Sequence, residues 1–390
     1  MDLEQLLTTP NPPTIAAGRK GEWSFTQAFD PHDPQSSTIT ATSKEQLEGD
    51  DAIKKFITAQ GGIIPVGYKA ILIEARHQTH GWTRATTGAD AVTRPTWLYR
   101  FRIEPDNVRQ DISELLALVG KKKPVRTNPA TDELVFHFIL GDTQIGKIDG
   151  DGVAGTIERW NQSIQTAVAQ WHKLGKPEVH IALLGDCIEG NQSQNGRTMW
   201  RTSLTITEQT RILRRMLLAC IDAFIQSPRV SMSVVNGNHD QVQRFQETRA
   251  DDGHATEAAV AVSEALAINP ERYSHVKIFV PGVDADHIVR NFNGTVIVMA
   301  HGHQWSRGKS MDWWEGQCMG RKDAQHGHLL FHGHEHEFSI KSQKGRVAVC
   351  TPTMESESTW WKHKTGQTGL RGAMTMTTNG DEMFQRLEIV

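Results

Sequence analysis

The chain has 390 residues with 42 Lys and Arg against 45 Asp and Glu, a formal net charge of -3. That length suffices for two or three domains with a sizeable core, and that charge excludes a global positive field for holding nucleic acid, so an anionic partner would have to be gripped locally. Cys187, Cys220, Cys318 and Cys350 lie far apart with no C-x-x-C spacing, against a zinc ribbon or a disulfide framework; no secretory leader and no apolar run of membrane-spanning length are seen, so a cytoplasmic protein without a membrane partner is expected.

Residues 1–45 carry Pro10, Pro12, Pro13, Pro31 and Pro34 among many Ser and Thr, and read as an irregular N-terminal arm. From 46 to 126 a small α+β domain is expected. Its elements are a short helix from Ser43 to Ala59, strands at Tyr68 to Ala75 and Trp97 to Ile103, and a second short helix from Asp111 to Val119. Lys121-Lys122-Lys123-Pro124, with Arg126 and Pro129, marks a linker that ends at 133, because like charges and prolines resist packing.

From residue 134 to 390 the pattern turns to regular alternation. Leu134 to Leu140 is an apolar strand, and Val153 to Leu174 sets Val153, Ile157, Trp160, Ile164, Val168 and Trp171 at helical spacing. A strand at Val179 to Leu184, an amphipathic helix at Thr205 to Phe224, a strand at Val230 to Val235 and a helix at Ala255 to Leu266 follow. This order implies βαβ units and an α/β fold with a central sheet. The last third holds short strand runs at Val276 to Phe279, Thr295 to Ala300, His328 to Phe331, Phe338 to Lys341, Arg346 to Cys350 and Ala373 to Thr377.

Five strand ends share one property. Leu140 is followed by Gly141-Asp142-Thr143-Gln144, Leu184 by Gly185-Asp186-Cys187-Ile188-Glu189, and Val235 by Asn236-Gly237-Asn238-His239-Asp240. Ala300 leads into His301-Gly302-His303, and Phe331 into His332-Gly333-His334-Glu335-His336. Turn chemistry explains Gly, Asn and Asp at any one of these places. It does not call for His or Asp directly after five apolar strands, and many of the 18 histidines, a common metal-ligand type, fall between residues 287 and 336.

In this order the motifs resemble those of the calcineurin-like metallophosphoesterase superfamily: D-x-H, G-D, G-N-H-[DE], a lone His and G-H-x-H. The likeness runs over about residues 134 to 389, and its style is similar to the branch of double-strand-break repair nucleases (SbcD-like) and their phage-encoded relatives. It implies a four-layer β-sandwich flanked by helices with the ligands on loops at one end. Carried over by position, one divalent ion would be held by Asp142, Gln144, Asp186 and His336, the other by Asp186, Asn238, His301 and His334, with Asp186 bridging. His303 is the alternative to His301. Mixed carboxylate, amide and imidazole donors suit Mn²⁺, Fe or Zn²⁺ better than Mg²⁺. Gln144 departs from the family's usual His and makes the first position weaker, more labile or more selective for Mn²⁺.

Two such cations, roughly 3.5–4 Å apart, offset charge on the attacking and leaving oxygens of a phosphoryl group. His239, one residue past a ligand, is the expected acid for the leaving alkoxide. Asp240 either fixes its tautomer or caps the following turn, and Glu189 is a loop carboxylate near the ligands. For substrate the candidates are Asn195, Arg197 and Arg201, then Trp305, Lys309, Trp313, Trp314, Arg321 and Lys322, then Trp360, Trp361, Lys362 and Lys364. Aromatic rings interleaved with cations stack bases or form a small core with snorkelling lysines. The expected activity is a metal-dependent phosphodiesterase, best a DNA nuclease or exonuclease in DNA repair. A phosphomonoesterase, a cyclic-nucleotide phosphodiesterase and an inactive scaffold are the alternatives. A partner ATPase follows from the resemblance alone, the sequence containing no G-x-x-x-x-G-K-[ST] run.

Overall fold

The computed structural model describes residues 25–28, 38–43, 53, 55–57, 68–80, 94–105, 112–129, 134–191, 202–243, 248–359, 362–363, 366, 368–380 and 383–390. The chain divides into two compact units, Met1–Asp111 and Ile112–Val390.

In the first unit, β1 (Phe25–Ala28), β2 (Thr38–Ser43), β3 (Tyr68–His80) and β4 (Arg94–Pro105) form an antiparallel sheet in the order β1-β2-β4-β3. Alternation in β2 and β4 puts Ile39, Ala41, Tyr99 and Phe101 on one face, where they bury with Ile53 and Ile57. The irregular arm expected over residues 1–45 is thus corrected: β1 and β2 lie within it. Their Thr-rich alternation is strand-like, yet it carries too little hydrophobicity to stand out from a polar loop.

The unit boundary also differs from the expected 126. Helix α1 (Ser113–Gly120) and the lysine segment belong to the larger unit. Asn269 Nδ2 donates to the carbonyls of Val119 (2.9 Å) and Lys122 (2.8 Å), Lys122 pairs with Asp222, and Arg272 donates to the carbonyl of Lys123 at 2.7 Å. Partners distant in sequence neutralise and fasten what reads locally as a solvated linker.

The larger unit alternates β5 (Val135–Leu140), α2 (Gly152–Lys173), β6 (Glu178–Leu184), α3 (Ile206–Ala223), β7 (Val230–Val235), α4 (His254–Ala267), α5 (Pro270–Tyr273) and β8 (Val276–Phe279). Helix α3 begins where Thr205 and Glu208 form a reciprocal capping box. Then come β9 (His287–Phe292), β10 (Thr295–Ala300), α6 (Ser310–Met319), β11 (Leu329–His332), β12 (Ser339–Gln343), β13 (Arg346–Cys350), β14 (Met374–Thr378) and β15 (Gln385–Ile389). A six-stranded sheet in the order β15-β14-β5-β6-β7-β8 faces a five-stranded sheet in the order β12-β13-β11-β10-β9. Strands β5 to β8 run parallel, as do β10, β11 and β13.

Side-chain alternation sorts each strand between two layers. Val135, Ile139, Ala182, Leu184 and Val235 meet Ile297, Met299, Leu329, Phe331 and Val349 between the sheets. Phe136 and Phe138 point the other way, to Phe224 just past α3, at ring distances of 6.1 and 5.9 Å. Behind the second sheet, Val298, Ala300, Leu330 and Ala348 bury against Trp305, Trp314 and Ala324. Helices, sheet, sheet and helix make the four layers expected for an α/β sandwich. No local pattern singled out β9, β15 or α6. Among the described residues, no helix is long and apolar enough to cross a membrane.

Candidate metal centre

Because β5, β6 and β7 are parallel, as are β10 and β11, the loops that follow them supply side chains to one place. Asp142, Gln144, Asp186, His334 and His336 all adopt left-handed φ, between 40° and 67°. Such backbone costs energy in non-glycine residues and persists where surrounding structure enforces it. Two glycines permit the close approach: a Cβ on Gly237 would lie 2.1 Å from Asp186 Oδ1, and one on Gly333 2.6 Å from Asp142 Oδ2.

Two groups of potential ligand atoms result, Asp186 with His301 and His334, and Asp142 with Asp186 and His336, and Asp186 is common to both. In the first group, His301 Nε2 lies 3.2 Å from Asp186 Oδ2, 3.2 Å from Asn238 Oδ1 and 3.2 Å from His334 Nδ1. The other ring nitrogen of His301 donates to the carbonyl of Leu184 at 2.7 Å, so that the neutral ring directs the Nε2 lone pair inward. A carboxylate oxygen, an amide oxygen and imidazole nitrogens converging in this way form a set of electron-pair donors. The donor set fits a divalent ion of the borderline kind. In the second group, His336 Nε2 is 3.4 Å from Asp142 Oδ1, and its Nδ1 is held by Glu355 Oε1 at 2.9 Å.

The electrostatics follow from these placements. Burial disfavours charge on His301 and His336, but the carboxylates beside them win: Asp186 and Asp142 raise His301 to about 9, and Asp142 and Glu355 raise His336 to about 10. Burial likewise opposes ionisation of Glu355, yet His336 and Lys147 bring it down to about 2.

Asp142, Asp186, Asn238, His301, His334 and His336 are therefore brought together as the motifs implied. His303 is exposed at the rim, its ring 5.4 Å from that of His301, outside both groups. Gln144 reaches the site in a different role. Its amide oxygen accepts from Lys147 Nζ at 2.5 Å, and its amide nitrogen turns to Asp186 Oδ2 at 3.5 Å. Asp240 also differs from the expectation of a tautomer-fixing partner. Its carboxylate accepts from the backbone N–H groups of Gly237 (2.8 Å), Cys187 (3.1 Å) and Ile188 (3.2 Å), stapling two site loops together. Glu189 stands beside the His239 ring instead: His239 Nδ1 is 3.0 Å from the Glu189 carbonyl oxygen and 3.4 Å from its carboxylate. Asn236, a turn residue by sequence, ties Ala250 and Thr256 across the start of α4.

Trp305 and Trp314 are core residues. Trp314 is 1% exposed and donates to the carbonyl of Ala324 at 2.8 Å; Trp305 is buried, its ring tilted against that of half-buried Trp313 at 4.8 Å and edge-on to His332 at 5.2 Å. Of the two alternatives left open for them, base stacking or a small core, Trp305 and Trp314 occupy the core, in the packing of α6 on the second sheet. Lys309 pairs with Asp312, and Lys362 with Glu357. Asn195, Arg197, Arg201, Trp360, Trp361 and Lys364 lie outside the described residues. Lys147 and Glu355 were missed by motif reading. Glu355 follows β13 in Thr351-Pro352-Thr353-Met354-Glu355, a sixth strand end with an ionisable side chain, which was the available signal.

What fold and site define is an α/β sandwich carrying a candidate dinuclear metal centre. No protein-family model matches the chain, and no curated protein matches it either. Among solved structures it is similar to Vps29 from Entamoeba histolytica complexed with zinc, at 12% identity over 65% of this chain and 98% of that one, with a TM-score of 0.32. An archaeal phosphodiesterase aligns at 13% identity over 65% and 99%, with a TM-score of 0.30. A conserved Streptococcus pneumoniae protein described as a predicted phosphoesterase aligns at 11% over 63% and 83%, with a TM-score of 0.27. Likenesses this distant leave the functional reading to rest on the site itself.

Proposed function

We propose that this protein is a metal-dependent phosphoesterase of the calcineurin-like kind, a cytoplasmic phosphodiesterase whose substrate is DNA. The observation that carries the reading is Asp186, shared by two converging groups of donor atoms with the His239 ring beside it: Asp186 Oδ1 accepts from the backbone N–H of His239 at 2.8 Å, and Oδ2 lies 3.8 Å from His239 Nε2.

Asp142, Asp186 and His336 would hold one divalent cation, and Asp186, Asn238, His301 and His334 the other, with Mn²⁺ the first choice and Fe or Zn²⁺ the alternatives. When bound, such a pair supplies Lewis acidity and neutralises phosphoryl charge. The chain's own residues do the rest. Leu184 and Glu355 orient His301 and His336, Asp240 locks the two loops that carry Asp186 and His239, and the Glu189 carbonyl accepts the Nδ1–H of His239, so that Nε2 carries a second proton when Asp186 and Glu189 hold the ring as imidazolium. That proton, on Nε2, goes to the leaving alkoxide.

DNA as substrate, and a partner ATPase, are proposed from the style of the motifs. The deciding experiment is turnover with Mn²⁺ on bis- and mono-p-nitrophenyl phosphate, followed by labelled single- and double-stranded DNA. Cleavage of diester and DNA supports the reading. Cleavage of the monoester alone replaces it with a phosphomonoesterase, and absence of both turnover and bound metal with a scaffold.

A further inference from the structure

The two amides at the centre are turned in opposite senses. Asn238 presents its Oδ1 to His301 Nε2 at 3.2 Å, inside the donor cluster. Gln144, on the other side of Asp186, gives its oxygen to Lys147. An amide has one acceptor atom, and its orientation here follows from the groups around it. The reverse orientation would set the amide NH₂ against an ammonium and its oxygen against the Asp186 carboxylate.

Local structure makes this arrangement. The N–H of Lys147 donates to the carbonyl of Gln144 at 3.1 Å, closing a four-residue turn, and Gly146 takes φ 110° within it. A Cβ at Gly146 would lie 2.5 Å from Gln209, whose amide also fastens Gly190 and Leu204, so the turn is seated from below. The turn folds the Lys147 side chain back over Gln144, where it is 9% exposed. Its ammonium is also 3.5 Å from Glu355 Oε2, and Glu355 holds His336.

Resting on the dinuclear reading above, we propose that Lys147 is a built-in cation that makes the metal position of Asp142, Asp186 and His336 the weak, exchangeable one of the two. It acts in three ways. It engages one lone pair of the only acceptor atom that Gln144 could contribute, it places a fixed positive charge where a dication must come, and it shares the carboxylate that makes His336 a better donor. The position of Asp186, Asn238, His301 and His334 keeps its full donor set and fills first. One ion is then resident, and the second enters at high metal concentration or with substrate.

The test is calorimetric titration of Mn²⁺ into the chelator-stripped full chain without substrate, with circular dichroism as the check on folding. The wild type should bind two ions in steps separated by roughly tenfold or more, and His336→Ala should lose the weaker step alone. Lys147→Met should tighten the weaker step by roughly ten- to a hundredfold and leave the stronger one unchanged, whereas Lys147→Arg, which retains charge and donor, should not. If Lys147→Met fails to fold, Lys147→Gln gives the same direction with a smaller gain. Two equal steps in the wild type, or a weaker step that Lys147→Met and Lys147→Gln leave unmoved, overturns the proposal while the dinuclear reading stands. No Mn²⁺ binding by the wild type removes both.

Discussion

His239 Nδ1 lies 3.0 Å from the carbonyl oxygen of Glu189 and 3.4 Å from its carboxylate, while Asp240, next to His239 in sequence, spends its carboxylate on three backbone N–H groups. The two acids have exchanged the roles that adjacency suggests. Glu189→Gln should therefore lower kcat by about tenfold or more with little change in Tm, since the carbonyl still fixes the ring but only Asp186 is left of the two charges that favour the imidazolium. Asp240→Asn should lower stability by about 1–3 kcal/mol, because an amide has one oxygen for three donors. Steady-state kinetics and thermal melts of both variants separate the roles. Equal Tm losses would erase the distinction.

His239→Ala should reduce kcat by about 10²–10⁴-fold on a diester with a poor leaving group, yet leave bound metal unchanged. Metal content by elemental analysis, measured beside the rate, checks this. A leaving group that needs no proton, such as p-nitrophenolate, should show a much smaller loss.

At Gly237 the argument is steric. A methyl 2.1 Å from Asp186 Oδ1 has to displace the one residue that both donor groups share. Gly237→Ala should therefore reduce Mn²⁺ binding at both positions, as read by titration, and activity should fall with it. Retention of two ions would mean that Asp186 can move without losing either.

The elements most legible in the sequence were those whose pattern is locally complete. Val230 to Val235 and Arg346 to Cys350 are strands with the expected bounds, and the six residues that ring the donor groups follow directly from strand ends. Roles that depend on partners across the chain were not legible. Lys147 lies three residues from Gln144, but the Glu355 carboxylate that its ammonium also faces comes from beyond β13, and Lys122 reads as a linker charge until Asp222, a hundred residues away, is placed beside it. The tryptophans between the last two ligand motifs carry the same composition whether they stack on bases or pack under α6. Only the burial of Trp314 decides.

That burial gives a stability prediction. Trp314 packs with Val298, Ala300 and Leu330, and Arg346 lies 5.2 Å from its ring centre. Trp314→Ala should cost about 3–5 kcal/mol in denaturant unfolding, chiefly through lost contact and an unfilled cavity. Binding of short DNA oligonucleotides should be unaffected in the folded fraction. A selective loss of DNA binding at unchanged stability would return Trp314 to the substrate.

Deep between the sheets, His137 and His180 meet at 3.1 Å through their Nδ1 atoms; His137 also bonds Thr378 at 2.9 Å and His180 bonds Ser233 at 3.1 Å. Burial holds His137 at about 3 and His180 well below its ordinary range, so both stay neutral in the folded protein. An unfolded His takes up its proton near pH 6.5. Between that pH and about 3 the unfolded chain binds protons that the folded chain refuses, so stability must fall as pH drops through this window, by up to about 1.4 kcal/mol per pH unit for each imidazole. His137→Gln keeps donor and acceptor for its neighbours but cannot titrate. Urea unfolding in the presence of chelator at pH 6.5, 5.5 and 4.5 should give a shallower decline for this variant, by about one proton's slope. Parallel declines would mean that the pair is already protonated, or opened to solvent, in the folded state.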